Sequence, residues 1–379
     1  MITIHDKSAC CGCAACVQIC PKKCIEFEED NQGFRYPCVN TAICINCGLC
    51  EIVCPFKSQN HTSSPIKVYA SKNKNEQIRS KSSSGGVFTA LAEAVLRQGG
   101  VVFGARFDSN WEVKHDFVSK SQDLSIFRGS KYMQSRIGNT YVQAERFLKD
   151  GRYVLYSGTP CQIAGLNRYL RKEYDNLLTV DVICHGVPSP LVWRNYLKNV
   201  AQGQRVTDVA FRNKTHSWKK YNFSIKGEAE ILIDQPFYEN LYMRGFLEDI
   251  YLRPSCYECA CKSGKSRADI TLGDFWGIEN HLPEFDDDKG VTIVLAHTNK
   301  AIRCLDIIDL DSYEISYEQA LEGNPSLEKS ARNDEEWRRE YWNREDKVEA
   351  INFILKKRVP SLFKRIIAKL IRVFKTRYL

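Results

Sequence analysis

Along the middle of the chain, roughly from residue 85 to residue 185, segments with the apolar pattern of a strand alternate with segments that have the apolar pattern of a helix. Short apolar runs typical of buried strands are each followed by a stretch with the spacing of a helix buried on one face. The predicted strands are residues 101–105, 153–157 and 177–183, and the predicted helices are residues 87–96, 140–148 and 162–171. This alternation predicts an α/β core in which some strands pair in parallel.

The pattern changes at both ends of this core. Near the N-terminus, residues 24–28 and 33–37 alternate around Asp30-Asn31-Gln32-Gly33, which predicts a hairpin. The polar residues 57–64 have the composition of a linker. After Pro360, lysines and arginines surround apolar positions at helical spacing, namely Leu362, Phe363, Ile366, Ile367, Leu370, Ile371 and Phe374. We therefore predict three parts: residues 1–60, residues 65–335 and a helical basic tail over residues 336–379.

Two cysteine runs in the first part repeat one spacing, Cys-x2-Cys-x2-Cys-x3-Cys-Pro, 34 residues apart. Three thiolates at steps of three can hold three corners of one [4Fe-4S] cube, while the fourth reaches across to the other cube. The spacing thus predicts a bacterial-type two-cluster ferredoxin module with crossed ligand sets. One set is Cys10, Cys13, Cys16 and Cys54, and the other set is Cys44, Cys47, Cys50 and Cys20.

The alternative for these runs is a zinc ribbon, because Cys-x2-Cys pairs also suit tetrahedral zinc. A ribbon predicts pairs rather than two matched quartets that each end in proline, so the spacing favours iron. Cys11, Cys24 and Cys38 fall outside the pattern, and we predict that they are packing residues.

Composition narrows the class of protein. The chain has 379 residues and 17 cysteines, but its N-terminus lacks an apolar signal core, so we expect a reducing, cytoplasmic location rather than a secreted disulfide protein. The net charge of +8 comes from the last 30 residues, which hold nine Lys or Arg and no Asp or Glu, and the remainder carries −1. A nucleic-acid surface needs clustered positive charge on the body, so that class is disfavoured.

Two further motifs could carry chemistry. Ser82-Ser83-Ser84-Gly85-Gly86 precedes the helix predicted from residue 87, where free N–H groups and the helix dipole can hold a phosphate, although such serines also cap ordinary helices. Two predicted strands end near Cys161 and Cys184, and a third group follows as Cys256-x2-Cys259-x-Cys261. From the residues alone, a third metal site and buried or reactive thiols, such as a nucleophilic Cys161, are open alternatives. His185 is expected to be structural or to support a ligand.

Taken together, the motifs resemble the family of beta subunits of coenzyme F420-reducing hydrogenase and dehydrogenase. The resemblance runs from about residue 1 to residue 330. It is carried by SSSGGVF (82–88), RGSKYMQS (128–135), SGTPCQIAGL (157–166), DVICHGVPSP (181–190), FRNK (211–214) with Trp218, CYEC (256–259) and ADITLGDFWG (268–277).

The resemblance implies a larger α/β domain that binds FAD beside a third [4Fe-4S] cluster. It implies that the ligands of this cluster are Cys161, Cys184, Cys256 and Cys259. It also implies a flavin site at Ser84, Gly85, Gly86, Lys131, Tyr132 and Ser135. Cys261 departs from the family pattern and could compete with Cys259, and coenzyme F420 itself does not follow from the motifs.

These features predict an iron–sulfur flavoprotein oxidoreductase that passes electrons between ferredoxin-type clusters and FAD, and on to coenzyme F420 or another small organic acceptor. No catalytic acid or base is assigned. The alternatives are an electron-transfer subunit without its own substrate, and an accessory iron–sulfur protein in polysaccharide or cell-envelope biosynthesis. We expect an electron donor or acceptor protein as partner, no nucleic acid, and a membrane surface or an acidic partner for the basic tail.

Overall fold

The computed structural model describes residues 1–57 and 62–358. Its N-terminal unit contains two short helices, α1 (Ala15–Ile19) and α2 (Leu49–Ile52), and two strands, β1 (Ile25–Glu29) and β2 (Arg35–Val39). The strands pair antiparallel, with Ile25 opposite Val39, which confirms the predicted hairpin. The Asp30 carboxylate forms its turn by accepting the N–H groups of Gln32 and Phe34 at 2.9 and 3.0 Å.

The rest of the described chain alternates strands and helices. Its strands are β3 (Lys67–Asn73), β4 (Val101–Phe107), β5 (Val113–Val118), β6 (Val154–Gly158), β7 (Leu177–Val182), β8 (Val206–Asn213), β9 (Asn222–Gly227), β10 (Ile231–Pro236), β11 (Ile270–Asp274), β12 (Thr292–Ala296) and β13 (Leu310–Glu314). Its helices are α3 (Glu76–Ser80), α4 (Val87–Arg97), α5 (Thr140–Lys149), α6 (Pro160–Leu170), α7 (Pro190–Ala201), α8 (Leu241–Leu247), α9 (Asn299–Asp306), α10 (Tyr317–Glu322), α11 (Glu335–Trp342) and α12 (Lys347–Arg358).

Eight of these strands form one sheet in the order β13-β3-β12-β11-β7-β6-β4-β5. The three central contacts, β11 with β7, β7 with β6 and β6 with β4, are parallel, whereas the outer contacts are antiparallel. The predicted α/β core with some parallel pairing is therefore confirmed, and the fold is a mixed α/β fold. The parallel strands β6 and β7 end beside Cys161 and Cys184, and this edge positions the candidate site.

Apolar layers cover both faces of this sheet. Leu91 and Val95 of α4 pack with Leu155 and Val294 on one face. On the other face, Ile163 and Leu166 of α6 pack with Phe103 and Tyr156, and Cys13 and Ala15 of the N-terminal unit join the same core. The predicted boundary near residue 60 therefore separates segments of the chain that share one core in space.

A second, smaller sheet has the antiparallel order β10-β9-β8. Its Phe223 and Ile225 pack with Trp193 of α7 and Tyr242 of α8, and this cluster also buries Ile351 of α12. The beginning of the predicted tail thus belongs to the body. The predicted amphipathic helix after Pro360 lies outside the described residues. Within the described ranges, none of the helices combines the length and apolarity that spanning a bilayer requires.

The tip of the N-terminal hairpin is held against the start of α7. Ser189 Oγ donates a hydrogen bond to the Gln32 carbonyl oxygen. Gly33 has a positive φ of 82°, and a Cβ added there would lie 2.4 Å from the Cβ of Leu191. Because only glycine fits so tight an approach, the sequence of the turn fixes where the N-terminal unit docks.

Candidate functional site

The first predicted cysteine quartet converges around the loop that leads into α1. Positive φ angles at Gly12 and Ala14 bend this loop back on itself. Burial, followed by the neighbouring charges of Cys10 and Cys54, raises the pKa of the Cys16 thiol to about 12. Cys13 also faces Cys16 and Cys54. The structure therefore brings Cys54 to the first run, as a crossed ligand set requires.

The second predicted quartet lines a shallow concave pocket at the surface of the N-terminal unit. Its thiols are those of Cys20, Cys44, Cys47 and Cys50, joined by Cys24, whose Sγ lies 3.4 Å from Cys20 Sγ. The N–H of Ile2 donates to Cys50 Sγ at 3.3 Å. Hydrogen bonds of this kind stabilise thiolate charge, and Fe–S reduction potentials depend on them. Cys20 therefore lies with the cysteines of the second run, as the predicted crossed ligand set requires.

The third cysteine group lies at the edge where β6 and β7 end. Thr159 caps α6, placing Cys161 in its first turn, and Cys184 follows β7. Charges on Cys161, Cys184 and Cys259 all act on Cys256, whose Sγ accepts the N–H of Val187 at 3.4 Å. The four thiols expected from the resemblance are thus brought together in space.

The alternative of a nucleophilic Cys161 is not supported by its surroundings. A reactive thiol at a helix N-terminus needs a lowered pKa. Instead, the Cys11 thiol first and burial second hold the pKa of Cys161 well above its usual range. Lys262 donates to the carbonyl oxygens of Cys184 and Ser326, so its cation lies beside the group. Together, buried thiols and a nearby cation suit thiolate ligands better than a free nucleophile.

Two cysteines outside the predicted ligand sets lie close to more than one cysteine group. The Cys11 thiol interacts with both Cys13 and Cys161, so it joins the first quartet to the third group. Cys261 is buried, and the charges that raise its pKa include those of Cys161, Cys259 and Cys54. The doublet Cys10-Cys11 and the spacing Cys259-x-Cys261 were visible in the sequence, but nothing local indicates these distant contacts.

The first quartet and the third group meet through a close helix contact. A Cβ added to Gly165 of α6 would lie 2.8 Å from the Cβ and 2.9 Å from the Sγ of Cys13. The missing side chain at residue 165 therefore lets the N-terminal loop lie directly on α6. Among residues 1–57 and 62–358, no three His, Cys, Asp or Glu side chains converge closely enough to hold a single metal ion. A [4Fe-4S] cube is wider than one ion and separates its four thiolates accordingly.

The serine- and glycine-rich segment begins α4 as expected. Gly86 caps the helix with a φ of 84°. Gly85 is tightly packed: its N–H donates to Thr292 Oγ1 at 2.8 Å, and an added Cβ would lie 2.5 Å from the Ser71 carbonyl oxygen. Ser84 Oγ donates to the Val291 carbonyl oxygen at 2.8 Å. Part of this motif therefore ties α4 to β3 and β12.

The RGSKYMQS segment lies beside that helix start, since Ser130 Oγ donates to Ser83 Oγ at 2.8 Å. Lys131 donates to the carbonyl oxygens of Arg128 and Gly129 at 3.0 Å, and burial lowers its pKa to about 7. The ring of Tyr132 contacts those of Phe211 and Phe246, with centroids 5.7 and 4.9 Å away.

Ser135 lies deeper than the other predicted flavin residues. It is buried, and its Oγ is 3.0 Å from His115 Nδ1 and accepts Gln162 Nε2 at 2.8 Å. His115 Nε2 is in turn 3.0 Å from the Ser157 carbonyl oxygen. This hydrogen-bond chain reaches Gln162, the residue after Cys161, so Ser135 sits toward the third cysteine group.

Sequence reasoning assigned no role to two cations of the FRNK motif. The Arg212 side chain is 2% exposed and pairs through Nη1 with Asp274, yet its Nε and Nη2 have no hydrogen-bond partner among the described residues. Lys214 donates to the carbonyl oxygens of Ser84 and Lys289 at 2.8 and 2.6 Å. Burial, then Arg212 and Arg79, lower the pKa of Lys214 to about 7. Arg212 and Lys214 thus form a cationic patch beside the start of α4.

Aromatic rings border this cationic patch. Trp218 and Trp276 stack with centroids 4.9 Å apart and planes 4° from parallel, and Trp218 Nε1 donates to Asp274 Oδ1 at 3.0 Å. The Arg212 guanidinium lies 4.6 Å from the centroid of Tyr221 and 5.2 Å from that of Trp276. Flat rings with unpaired N–H donors can hold a planar, anionic molecule.

Comparisons with known proteins identify the family of the chain. Two family models are described as "Coenzyme F420 hydrogenase/dehydrogenase, beta subunit". The model of the N-terminal part matches residues 68–140, and the model of the C terminus matches residues 151–318. A third model, "4Fe-4S dicluster domain", matches residues 9–58.

Curated relatives are similar over parts of their length. A subunit of the F(420)H(2) dehydrogenase of Methanosarcina mazei is 26% identical over 194 residues, covering 48% of this chain and 54% of the relative. "Coenzyme F420-dependent sulfite reductase" of Methanocaldococcus jannaschii is 27% identical over 204 residues, 51% of this chain and 30% of the relative. The chain thus spans about half or less of these two relatives.

Two further similarities complete the comparison. "Ferredoxin 7Fe" of Hydrogenibacillus schlegelii is 35% identical over 65 residues, 16% of this chain and 77% of the ferredoxin. A solved chain of the F420-reducing [NiFe] hydrogenase complex from Methanosarcina barkeri is 17% identical with a TM-score of 0.47, covering 72% of this chain and 97% of that one. The matches at residues 9–58, 68–140 and 151–318 lead to one conclusion: the chain belongs to the family of coenzyme F420 hydrogenase/dehydrogenase beta subunits and carries an N-terminal 4Fe-4S dicluster domain.

Proposed function

We propose that this protein is an iron–sulfur flavoprotein oxidoreductase that moves electrons between ferredoxin-type clusters and FAD, and on to coenzyme F420 or another small organic acceptor. The observation that carries the proposal is the contact between Cys11 and Cys161, which joins the first cysteine quartet to the third group. Two of the three cysteine groups adjoin each other. Clusters held by adjoining groups would be close enough for stepwise electron transfer, whereas purely structural metal sites would not need to be adjacent.

The residues around the start of α4 fit FAD. Arg212 has two N–H donors without a partner among the described residues, and the Nζ groups of Lys131 and Lys214 bind carbonyl oxygens rather than carboxylates. A diphosphate would supply the missing negative charge, and the first turn of α4 offers the favourable end of a helix dipole. When bound, a flavin converts between one-electron and two-electron chemistry, which clusters alone cannot do.

The protein side chains would bind and orient this cofactor. Ser130 and Ser83 hold the RGSKYMQS segment against the start of α4. Tyr132 presents its ring edge-on to that of Phe211. The Ser135–Gln162 hydrogen bond connects this segment to the helix of Cys161. The proposed cofactor site and the third cysteine group are thus connected through α6. This connection suits electron transfer that needs no rearrangement of the protein.

The acceptor is proposed from the relatives rather than from the site. One of them is named as part of an F420H2 dehydrogenase, and another is named as an F420-dependent sulfite reductase. These names support F420 as the first acceptor to test. No acid or base is assigned.

The test begins with protein isolated without oxygen. Bound flavin should be released on denaturation and identified as FAD by chromatography. After stoichiometric reduction with dithionite, F420, NAD and NADP are added separately. Reoxidation of the flavin by one of them, with matching formation of reduced acceptor, supports the enzyme. Protein that contains iron but no flavin after reconstitution with FAD would contradict the flavoprotein assignment.

A second candidate function is a relay subunit without a substrate of its own. It is favoured by the burial of the cationic patch, since protein atoms cover Arg212 and the neighbouring Trp218 has no exposed surface. In the same assay, a relay would exchange electrons with a redox protein, while small acceptors would leave its flavin reduced.

A further inference from the structure

Arg253 lies where the N-terminal unit meets the body of the protein, and none of its surface is exposed. Its Nε donates to the Cys10 carbonyl oxygen at 2.7 Å, and its Nη1 donates to Gln134 Oε1 at 2.9 Å. Its Nη2 donates to the Arg35 carbonyl oxygen at 2.9 Å and lies 3.6 Å from Cys10 Sγ. One guanidinium therefore binds both sides of the boundary.

The charge of Arg253 has no carboxylate partner within residues 1–57 and 62–358. Its ring contacts are Tyr36 and Phe34, with centroids 4.3 and 5.5 Å away. The groups whose negative charge would act on it are Tyr36 and three cysteines, Cys10, Cys11 and Cys256, of which Cys10 and Cys256 belong to two different predicted sets. Arg79, which is also buried, forms an ordinary ion pair with Asp287 instead. A buried, unpaired cation is costly unless other negative charge faces it.

We propose that Arg253 is a positioning residue that stabilises the reduced form of the cluster held by the Cys10 set and fixes that cluster against the third cysteine group. The proposal rests on the proposed function, since it requires clusters at both sets. Reduction adds one negative charge to a cluster. A buried cation beside it therefore favours the reduced form and raises its reduction potential, because local charge sets Fe–S potentials.

The same geometry gives an order of transfer. The pocket of Cys20, Cys44, Cys47 and Cys50 faces outward, where Cys47 and Ile45 are exposed. The Cys10 set faces inward, toward Arg253, Cys11 and Cys161. An electron entering at the outer cluster would pass to the inner cluster and then to the third cluster. Each transfer would oxidise one cluster and reduce the next by one electron, with no change of covalent bonds in the cysteine sets that would hold them.

The test compares Arg253→Gln, Arg253→Lys and the control Arg79→Gln in the anaerobically isolated full chain. The readouts are iron content, the low-temperature EPR spectrum of the reduced clusters, and a redox titration of each resolved couple. In Arg253→Gln, the reduced-to-oxidised ratio of one couple at fixed potential should fall about tenfold, which is 59 mV for a one-electron couple. Arg253→Lys should restore most of this ratio, and Arg79→Gln should change no cluster couple.

A second variant covers the case in which Arg253→Gln fails to fold. Gln134→Glu is nearly isosteric and places a carboxylate at the Nη1 contact of Arg253, so it should lower the same couple. Iron content and EPR spectra like those of the parent, with every couple unchanged in Arg253→Gln or, where that variant does not fold, in Gln134→Glu, would overturn the proposal. A shift of equal size in Arg79→Gln would also overturn it. Absence of iron from the parent protein would instead refute the proposed function itself.

Discussion

At the scale of single residues, thiols with similar surroundings are expected to differ in function. Cys161 and Cys11 interact with each other, but only Cys161 belongs to a group of four. With three [4Fe-4S] clusters, the parent protein should contain about 12 iron atoms per chain, and Cys161→Ser should contain about 8. Cys11→Ser should keep the parent iron content.

Iron and zinc are measured by plasma emission on anaerobically isolated protein, with Cys304→Ser as a control because Cys304 lies in α9, outside the three groups. Iron that stays near the parent value in Cys161→Ser would refute the third cluster. Zinc in place of iron would refute all three.

His115 gives a pH dependence whose direction follows from its burial. Burial lowers its pKa from 6.5 to about 4, so the folded protein holds it neutral. The unfolded chain takes up a proton below pH 6.5, and the folded state does so only near pH 4. The stability contributed is therefore complete above pH 6.5 and is lost as the pH falls toward 4, by about 3 kcal/mol at most.

The replacement His115→Gln should flatten this part of the pH profile of the thermal midpoint. His216→Gln, at an exposed position, should leave the profile as in the parent. An unchanged slope between pH 6.5 and pH 4 in His115→Gln would show that other groups control acid stability.

At the scale of elements, the residues around the start of α4 include some that pack the helix and others that are proposed to bind the cofactor, so the choice of residue decides what a variant tests. Replacing Gly85 with valine would strain the contacts with Ser71 and Thr292, so loss of flavin in that variant would have two explanations. Lys214→Met removes one buried cation instead. It should weaken FAD binding about tenfold, the effect of one charged hydrogen bond, while leaving iron unchanged. Lys198→Met, on the exposed side of α7, is the control, and equal flavin retention in both variants would contradict the assignment.

The contact between α6 and the N-terminal loop is a second element-scale feature. Gly165→Ala forces a methyl group to within about 3 Å of Cys13, and such overpacking costs about 1–3 kcal/mol. We expect a lower thermal midpoint and partial loss of iron from the inner ferredoxin-type cluster. Val142→Ala, at an exposed position of α5, should change neither quantity. Full iron and an unchanged midpoint in Gly165→Ala would mean that the loop can move away freely.

Local patterns predicted the elements that depend on local rules. The helix expected over residues 140–148 is α5 (Thr140–Lys149), and the expected hairpin is formed by β1 and β2, whereas the crossed ligand sets stay a prediction. α6 begins two residues earlier than expected because Thr159 and Gln162 form a capping box around Pro160. The strands β5, β12 and β13 of the large sheet and the β8–β10 sheet were missed. β12 and β13 pair with β3, which lies far earlier in the chain, and Cys11 contacts Cys161 across a similarly long separation, so no local periodicity encodes these contacts. The strands β8, β9 and β10 are neighbours in the chain, but register shifts interrupt their pairing.

At the scale of the whole molecule, the basic C-terminal segment stays a prediction. Its helix would start after Pro360, beyond the part of the chain that the structure describes. The full chain should sediment with anionic liposomes. Salt at about 0.5 M should release it, because that concentration screens surface charge. A chain ending at Val359 should stay in the supernatant. Equal sedimentation of both chains would favour a packing or partner helix.

The hairpin tip at Gly33 and Ser189 has a consequence for how the molecule works as a whole. If a carrier module swung between donor and acceptor, the rate of electron transfer would fall as the viscosity of the medium rose, because diffusion of the module would limit each cycle. Here Gly33 packs directly on Leu191, and Ser189 bonds the turn, so the module is clamped rather than tethered. Electrons would then pass between clusters at fixed positions. The rate of this transfer within the protein should therefore be the same in glycerol or sucrose solutions as in water.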